Sequence, residues 1–286
     1  MILSIKISKE SESISLTQAI RDTEKEIAKE TVKEGRTFSK IRLHLIDELR
    51  GFWLINMIIY HAIWDLVNIF HCNWQWYKSD IAFYWQQSIC WSFIFISGFC
   101  WKMSRKNLKR GLLVFGGGLV ITLATLLFMP GSRVIFGVLT LIGSSMLLMI
   151  PCDKVLRKVN PLVGVIISFL IFLLVYPVND GYLGIAGQKW LMLPRELYTS
   201  MFTTYLGFPM PGFWSTDYFS IIPWFFLYMT GYFMHGVVLG ERKECKVLTT
   251  SICPPLGFIG KHALIIYMLH QPVVYGMLTL WHMINK

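Results

Sequence analysis

The sequence predicts an all-α polytopic membrane protein: a helical bundle of about seven transmembrane helices, N-terminus cytoplasmic, C-terminus outside. Three observations carry this. First, 54% of the 286 residues are hydrophobic and only 15% are charged, where a soluble domain carries about 25%. That balance excludes a disordered chain and argues against an ordinary cytosolic enzyme. Second, the apolar residues gather into runs near the roughly 20 residues that cross about 30 Å of hydrocarbon as a helix. Third, the basic residues fall on alternate sides of those runs.

The elements follow in order. Residues 1–40 are polar and of mixed sign, with neither the apolar core nor the cleavage site of a secretory signal peptide. They read as a solvated cytoplasmic tail, and residues 41–286 as the transmembrane domain. The predicted spans are 49–70, 82–101, 111–129, 134–151, 161–178, 218–239 and 263–283. They must be helices, because lipid satisfies no open backbone group. The segment Trp190 to Tyr205, broken by Pro194, reads as interfacial or re-entrant.

Topology comes from the Lys and Arg residues. Ten precede Gly51, five lie in Lys102–Arg110, three in Lys154–Lys158 and four in Arg242–Lys261, all on one predicted side. Lys78, Arg133, Lys189, Arg195 and Lys286 lie on the other. An excess in short loops marks the cytoplasmic side. The net charge of +10 is therefore a topology signal and calls for no nucleic-acid partner. The six cysteines form no CxxC pair and suggest neither a disulfide framework nor a metal site. Gly116–Gly118 read as a close helix contact.

Few ionisable groups fall inside the spans, and such groups are functional candidates by default. His61 and Asp65 are four residues apart, hence on one helix face. A carboxylate beside an imidazole raises its basicity and fixes its tautomer. His270, in LHQPVV, stands beside Gln271 and before Pro272, which is expected to kink the helix. Each histidine also has a plain structural reading, as polar glue between helices. Asp47 and Arg50 open the first span, and Arg105, Lys106, Lys109 and Arg110 occupy the next basic loop. Together they suit the phosphates of an anionic substrate arriving from the cytoplasm, or serve only as snorkelling anchors.

Five blocks carry a resemblance: RLHLIDELRG with MIIYHAIWDL, SFIFISGFCWKMSRKNLKRGL, IFGVLTLIGSSMLL, GFPMPGFWSTDYFSIIPWFFLYMTGYF and IGKHALIIYMLHQPVV. In this order they resemble the membrane-bound acyltransferases related to heparan-alpha-glucosaminide N-acetyltransferase, in particular their short bacterial relatives. The resemblance implies an integral plasma-membrane, multi-pass acyltransferase. Acetyl-CoA or a related acyl-CoA would be co-substrate, without a metal, and a sugar amine or hydroxyl of a glycan or glycolipid on the far side would be acceptor. It implies catalytic roles for His61, Asp65 and His270, and donor binding by Asp47 and Arg50 with the basic loop. It implies acceptor binding by Asp217, Tyr218, Trp224 and Gln271. Thr140 and Ser220 stand where the family pattern often has histidine and proline, and Lys261 where it has arginine. Besides acyl-CoA, acceptor and membrane lipid, a homodimer stays open as a partner. The competing reading is a proton-coupled transporter or flippase using the His61–Asp65 pair, against which the lack of a visible inverted repeat counts.

Overall fold

The computed structural model describes residues 42–240 and 245–284. The chain divides into two units, Met1–Leu43 and His44–Lys286. The predicted tail lies outside the described residues, and so do Arg242 and Lys286. The second unit is a helical bundle. Its helices are α1 (His44–Asn68), α2 (Asp80–Phe99), α3 (Asn107–Phe128), α4 (Val138–Leu156), α5 (Pro161–Val175), α6 (Met201–Leu206), α7 (Ile221–Leu239), α8 (Lys246–Thr249), α9 (Pro254–Lys261) and α10 (Ala263–Ile284).

Each predicted span coincides with a long helix of this set. Among the described residues five helical stretches are long and apolar enough to cross a membrane: Asn107–Phe128, Val138–Leu156, Pro161–Asp180, Ile221–Leu239 and Ala263–Ile284. Helices α1 and α2 have the length but fall outside that set; α1 carries Asp47, Glu48, Arg50, His61 and Asp65. The chain is a multi-pass membrane protein.

Close helix crossings build the bundle, and small residues permit them. A Cβ on Gly98 would lie 2.0 Å from the Tyr228 carbonyl oxygen, and one on Gly231 2.1 Å from that of Phe95, so α2 and α7 meet backbone to backbone. Gly51 and Gly260 do the same for α1 and α9, against Leu256 and Asp47. On α3, Gly118 packs on Thr140 and Gly117 on Met268, whereas Gly116 faces open space. The main core lies among α2, α4, α5 and α7, where Phe172, Tyr228, Tyr232, Leu141 and Met149 are fully buried.

One predicted span starts late, and the stretch before α7 folds on its own. Predicted span 134–151 becomes helical only at Val138. The residues before it instead bond the 214–219 segment: Thr216 N–H to the Arg133 carbonyl (3.0 Å) and Phe219 N–H to the Phe136 carbonyl (2.8 Å). The segment Trp190–Tyr205, expected to be interfacial or re-entrant, holds the end of a hairpin strand, the 3₁₀ turn Arg195–Leu197 and most of a short helix. Strand β1 (Tyr182–Ile185) pairs antiparallel with β2 (Gln188–Met192). Its two-residue turn, Ala186–Gly187, has positive φ at both positions, as the tight turn matching strand twist requires. Helix α6 opens with a capping box between Ser200 and Thr203.

At the end of the bundle where α1 begins, Glu48 fastens the 251–253 loop. Its carboxylate accepts from Ser251 Oγ (2.6 Å) and from Ile252 N–H (3.0 Å to Oε2).

Candidate functional site

The site lies along the seam between α1 and α10. Arg50 to His61 is eleven residues of helix, about 16 Å at 1.5 Å per residue, so His61 sits deep in the bundle. Its ring faces that of His270 with centroids 4.9 Å apart and planes at 57°. His270 is 9% exposed, and its Nδ1 bonds the Tyr267 carbonyl one turn earlier. Nδ1–H is thus the donor, which leaves Nε2 the acceptor nitrogen. That Nε2 is buried and has no partner among the described residues.

Next along α10, the Gln271 amide crosses the seam and donates to Asp65 Oδ1 at 2.7 Å. Asp65 is fully buried. Its second oxygen, Oδ2, and Gln271 Oε1 have no partner among the described residues. An unpaired buried polar atom costs on the order of 1–3 kcal/mol, and several beside one another are exceptional in a folded protein. They describe a lining built for a polar guest.

The expected arrangement of the His61–Asp65 pair is corrected here. The two share a helix face, but the Asp65 carboxylate bonds Gln271 and makes no hydrogen bond to His61 among the described residues. Cross-helix pairing with Gln271 takes the place of the i,i+4 bond. Asp65 therefore orients Gln271, and His61's nearest ring partner is His270.

Sequence reasoning passed over two residues of this region, Tyr267 and Tyr77. Tyr267 supplies the carbonyl that sets the His270 tautomer, and its ring is 5.4 Å from that of His270. Asp217 and Cys90 are near enough to act electrostatically on its phenol. Tyr77, in the 3₁₀ turn Gln75–Lys78, has a buried hydroxyl beside the Tyr60 phenol and lies close enough to Asp65 to feel its charge. The aromatic cluster NWQWYK was the available signal.

The predicted acceptor residues separate. Gln271 is in the site. Trp224 is 6% exposed and packs among Trp91, Phe172, Tyr176 and Phe219. Its face is closed to a sugar, because the core needs it. Tyr218 Oη donates to the Thr204 carbonyl (2.6 Å) and accepts from Asn179 Nδ2 (3.2 Å), which ties the 216–220 segment to α6. Asp217 Oδ2 accepts Val138 N–H at 3.1 Å, anchoring the first turn of α4. The loop carboxyl of Asp217 is pushed up to about 6 by burial, which this one hydrogen bond only partly offsets. Of the departures from the family pattern, Ser220 is absorbed by Asn179, whose Nδ2 donates to Ser220 Oγ at 3.2 Å. Thr140 is buried, and it lines an apolar cavity of about 300 Å³ with Phe115, Phe136 and Tyr205.

The predicted donor residues do converge in part. Arg50 Nη1 bonds Asp47 Oδ1 at 3.1 Å. Arg50, Arg110 and Asp47 all lie near enough to the Cys100 thiol to act on it electrostatically. Arg105, Lys106, Lys109 and Arg110 are exposed.

With this geometry in place, one comparison is decisive. Residues 42–272 match the family model described as heparan-alpha-glucosaminide N-acetyltransferase, catalytic. The chain belongs to that family. No curated protein and no solved structure matches it. The heparan-alpha-glucosaminide N-acetyltransferase match runs from two residues before α1 through His270 and Gln271, and thus takes in both walls of the seam. Membership makes the chain one of a family of membrane acetyltransferases, which is the enzyme reading and not the transporter one.

Proposed function

We propose that the protein moves an acetyl or related acyl group from cytoplasmic acyl-CoA to a sugar amine or hydroxyl at the other face of the membrane. Seven helices, α1–α5, α7 and α10, would span the bilayer, with the basic end cytoplasmic and the C-terminus outside. The single observation that carries the reading is the pairing of His61 with His270 at 4.9 Å beside an unpartnered, buried Asp65–Gln271 bridge.

The chemistry needs little more than this. A thioester is already a good acyl donor, so the site must place it and supply a base. The Arg50–Arg110 region and the exposed Arg105, Lys106 and Lys109 would hold the donor's phosphates by charge-assisted hydrogen bonds. The thin pantetheine arm would then carry the thioester down the seam to His61. His270 Nε2, with its proton fixed on Nδ1, would take the proton of the acceptor. The acceptor lone pair attacks the carbonyl carbon, the C–S bond breaks, and the thiolate recovers a proton from the imidazolium. Gln271, held by Asp65, would donate to the oxygen that gains charge at the transition state.

Two measurements test this. Acetyl-CoA should raise the melting temperature of the purified protein, and His61→Ala should lose transfer while still inserting. Full activity in His61→Ala would remove it from the site.

A further inference from the structure

The apolar cavity beside Thr140 takes no part in the acyl-transfer chemistry above. It measures about 300 Å³ and lies between α3, α6 and the residues that lead into α4, with Phe115, Leu119, Ile135, Phe136 and Phe202 in its wall. The polar side chains of its lining are turned away or engaged. A Cβ on Gly118 would lie 2.5 Å from Thr140 Oγ1, so that hydroxyl faces the α3 backbone. Thr122 Oγ1 donates to the Gly118 carbonyl (3.1 Å), and Tyr205 Oη is bonded to Ser144 Oγ. A cavity lined in this way stays dry and takes an apolar guest.

The mouth of the cavity is on the lipid side of α3, one of the membrane-crossing helices. Leu119, Met201 and Phe202 are exposed there, and α3 presents Val120, Leu123 and Leu127 outward as well. The helix also sets the depth. Thr125 Oγ1 accepts Val134 N–H at 3.0 Å, which holds Arg133 near the level of Thr125. From Thr125 to Phe115 is ten residues of helix, about 15 Å at 1.5 Å per residue. One leaflet offers the same depth of hydrocarbon, half of about 30 Å. Arg133 therefore stands where the head of a lipid would lie if one chain filled the cavity. Its Nε donates to the Trp214 carbonyl (3.1 Å), and its guanidinium lies over the Trp214 ring, 5.7 Å from the centroid. The two Nη groups make no hydrogen bond or ion pair among the described residues, which leaves them open to a phosphate. Trp214, 46% exposed, is an indole of the kind that settles at headgroup level.

We propose that this cavity and Arg133 form a binding site for one anionic phospholipid, drawn from the leaflet opposite the basic loop Lys102–Arg110. One acyl chain fills the cavity and the phosphate meets Arg133. The lipid then ties α6 and the 133–137 segment to α3. Thr140 makes room for it: the family pattern often has histidine at this position, and an imidazole would take up part of the space. The proposal needs only that the chain spans a membrane, and it stands apart from the acyl-transfer reading.

The test uses the full chain, stripped of lipid in detergent, with native mass spectrometry as readout and phosphatidylglycerol and phosphatidylcholine as probes. One phosphatidylglycerol should be retained per chain, about fivefold more readily than phosphatidylcholine, as one basic contact to an anionic lipid implies. Arg133→Gln should erase that preference. Leu119→Trp fills the cavity from its mouth and Thr140→His from its inner wall, and each should lower retention of both lipids severalfold. Leu170→Trp, on an exposed part of α5, is the control and should change nothing. Melting temperatures without added lipid report folding, and should one cavity variant fail to fold, the other decides. No retained phospholipid, equal retention of the two, a preference kept in Arg133→Gln, or undiminished retention in a folded cavity variant overturns the proposal. So does an equal loss in Leu170→Trp.

Discussion

Two regions of the bundle handle buried polar groups in opposite ways. Where α5 meets α7, Ser168 Oγ lies 2.6 Å from the Gly164 carbonyl and 3.0 Å from Thr230 Oγ1, itself 2.9 Å from the Phe226 carbonyl, so the two hydroxyl protons are shared among three acceptable contacts. Those hydroxyls are satisfied within the protein. In the α1–α10 seam, Asp65 Oδ2, His270 Nε2 and Gln271 Oε1 are equally buried and, among the described residues, unsatisfied. Satisfied groups hold helices together in a bilayer; unsatisfied ones lower stability and are retained for a reason outside folding. The comparison separates helix glue from working residues, which spacing alone cannot do.

Substitutions in the two regions should therefore fail differently. The largest effect belongs to the packed side. Gly98→Val places atoms within about 2.0 Å of the Tyr228 carbonyl oxygen, and neither backbone has room to yield. Folded protein should be lost, read as absence of a monodisperse peak in detergent; a well-folded variant would show that the α2–α7 crossing is looser than described. In the seam, His61→Ala and His270→Ala should each reduce transfer about 100-fold or more with little change in melting temperature. Asp65→Asn should follow with a smaller loss, roughly 10–100-fold, because Asn still accepts from Gln271 but holds it less firmly. Its melting temperature should hold or rise, since a buried charge is removed. A marked drop in stability would return Asp65 to the structural class. Ser168→Ala should be milder still. Thr230 keeps its bond to Phe226, so no atom is orphaned, and the loss should be about 1 kcal/mol or less with transfer intact.

How far the sequence carried these conclusions follows from which forces are local. All seven apolar runs became helices, because hydrocarbon length and backbone satisfaction are properties of a segment. His61, Asp65, His270 and Gln271 were visible as rare polar residues in apolar runs, and the structure brings them together. Their bonding was not visible, because Asp65 has a choice between an i,i+4 neighbour and a residue 206 positions away, and only the α1–α10 approach decides it. Trp224 was misleading for a related reason. An aromatic at a span's edge suits either a sugar or a core, and burial at 6% settles it for the core. The hairpin was hidden because its turn dipeptide, Ala186–Gly187, is only half of a recognisable hairpin signal. Tyr77 sits in a short polar turn where no periodicity exists to read.

Asp217 lies between the two classes, and pH sharpens where it belongs. It is bonded, to Val138 N–H, yet burial raises its carboxyl from 3.8 to about 6. A folded-state value above the unfolded one means that folding favours the protonated form. The associated stability is complete below pH 3.8 and is lost as pH rises through about 6. Asp217→Asn keeps an acceptor for Val138 without the charge. Its melting temperature relative to wild type should therefore climb between pH 5 and 7.5, the smallest of these effects but the one with a sign fixed in advance. A gap that stays flat across this window would mean that Asp217 is solvated in the folded protein and belongs with the working residues, open to a ligand, not with the anchors of α4.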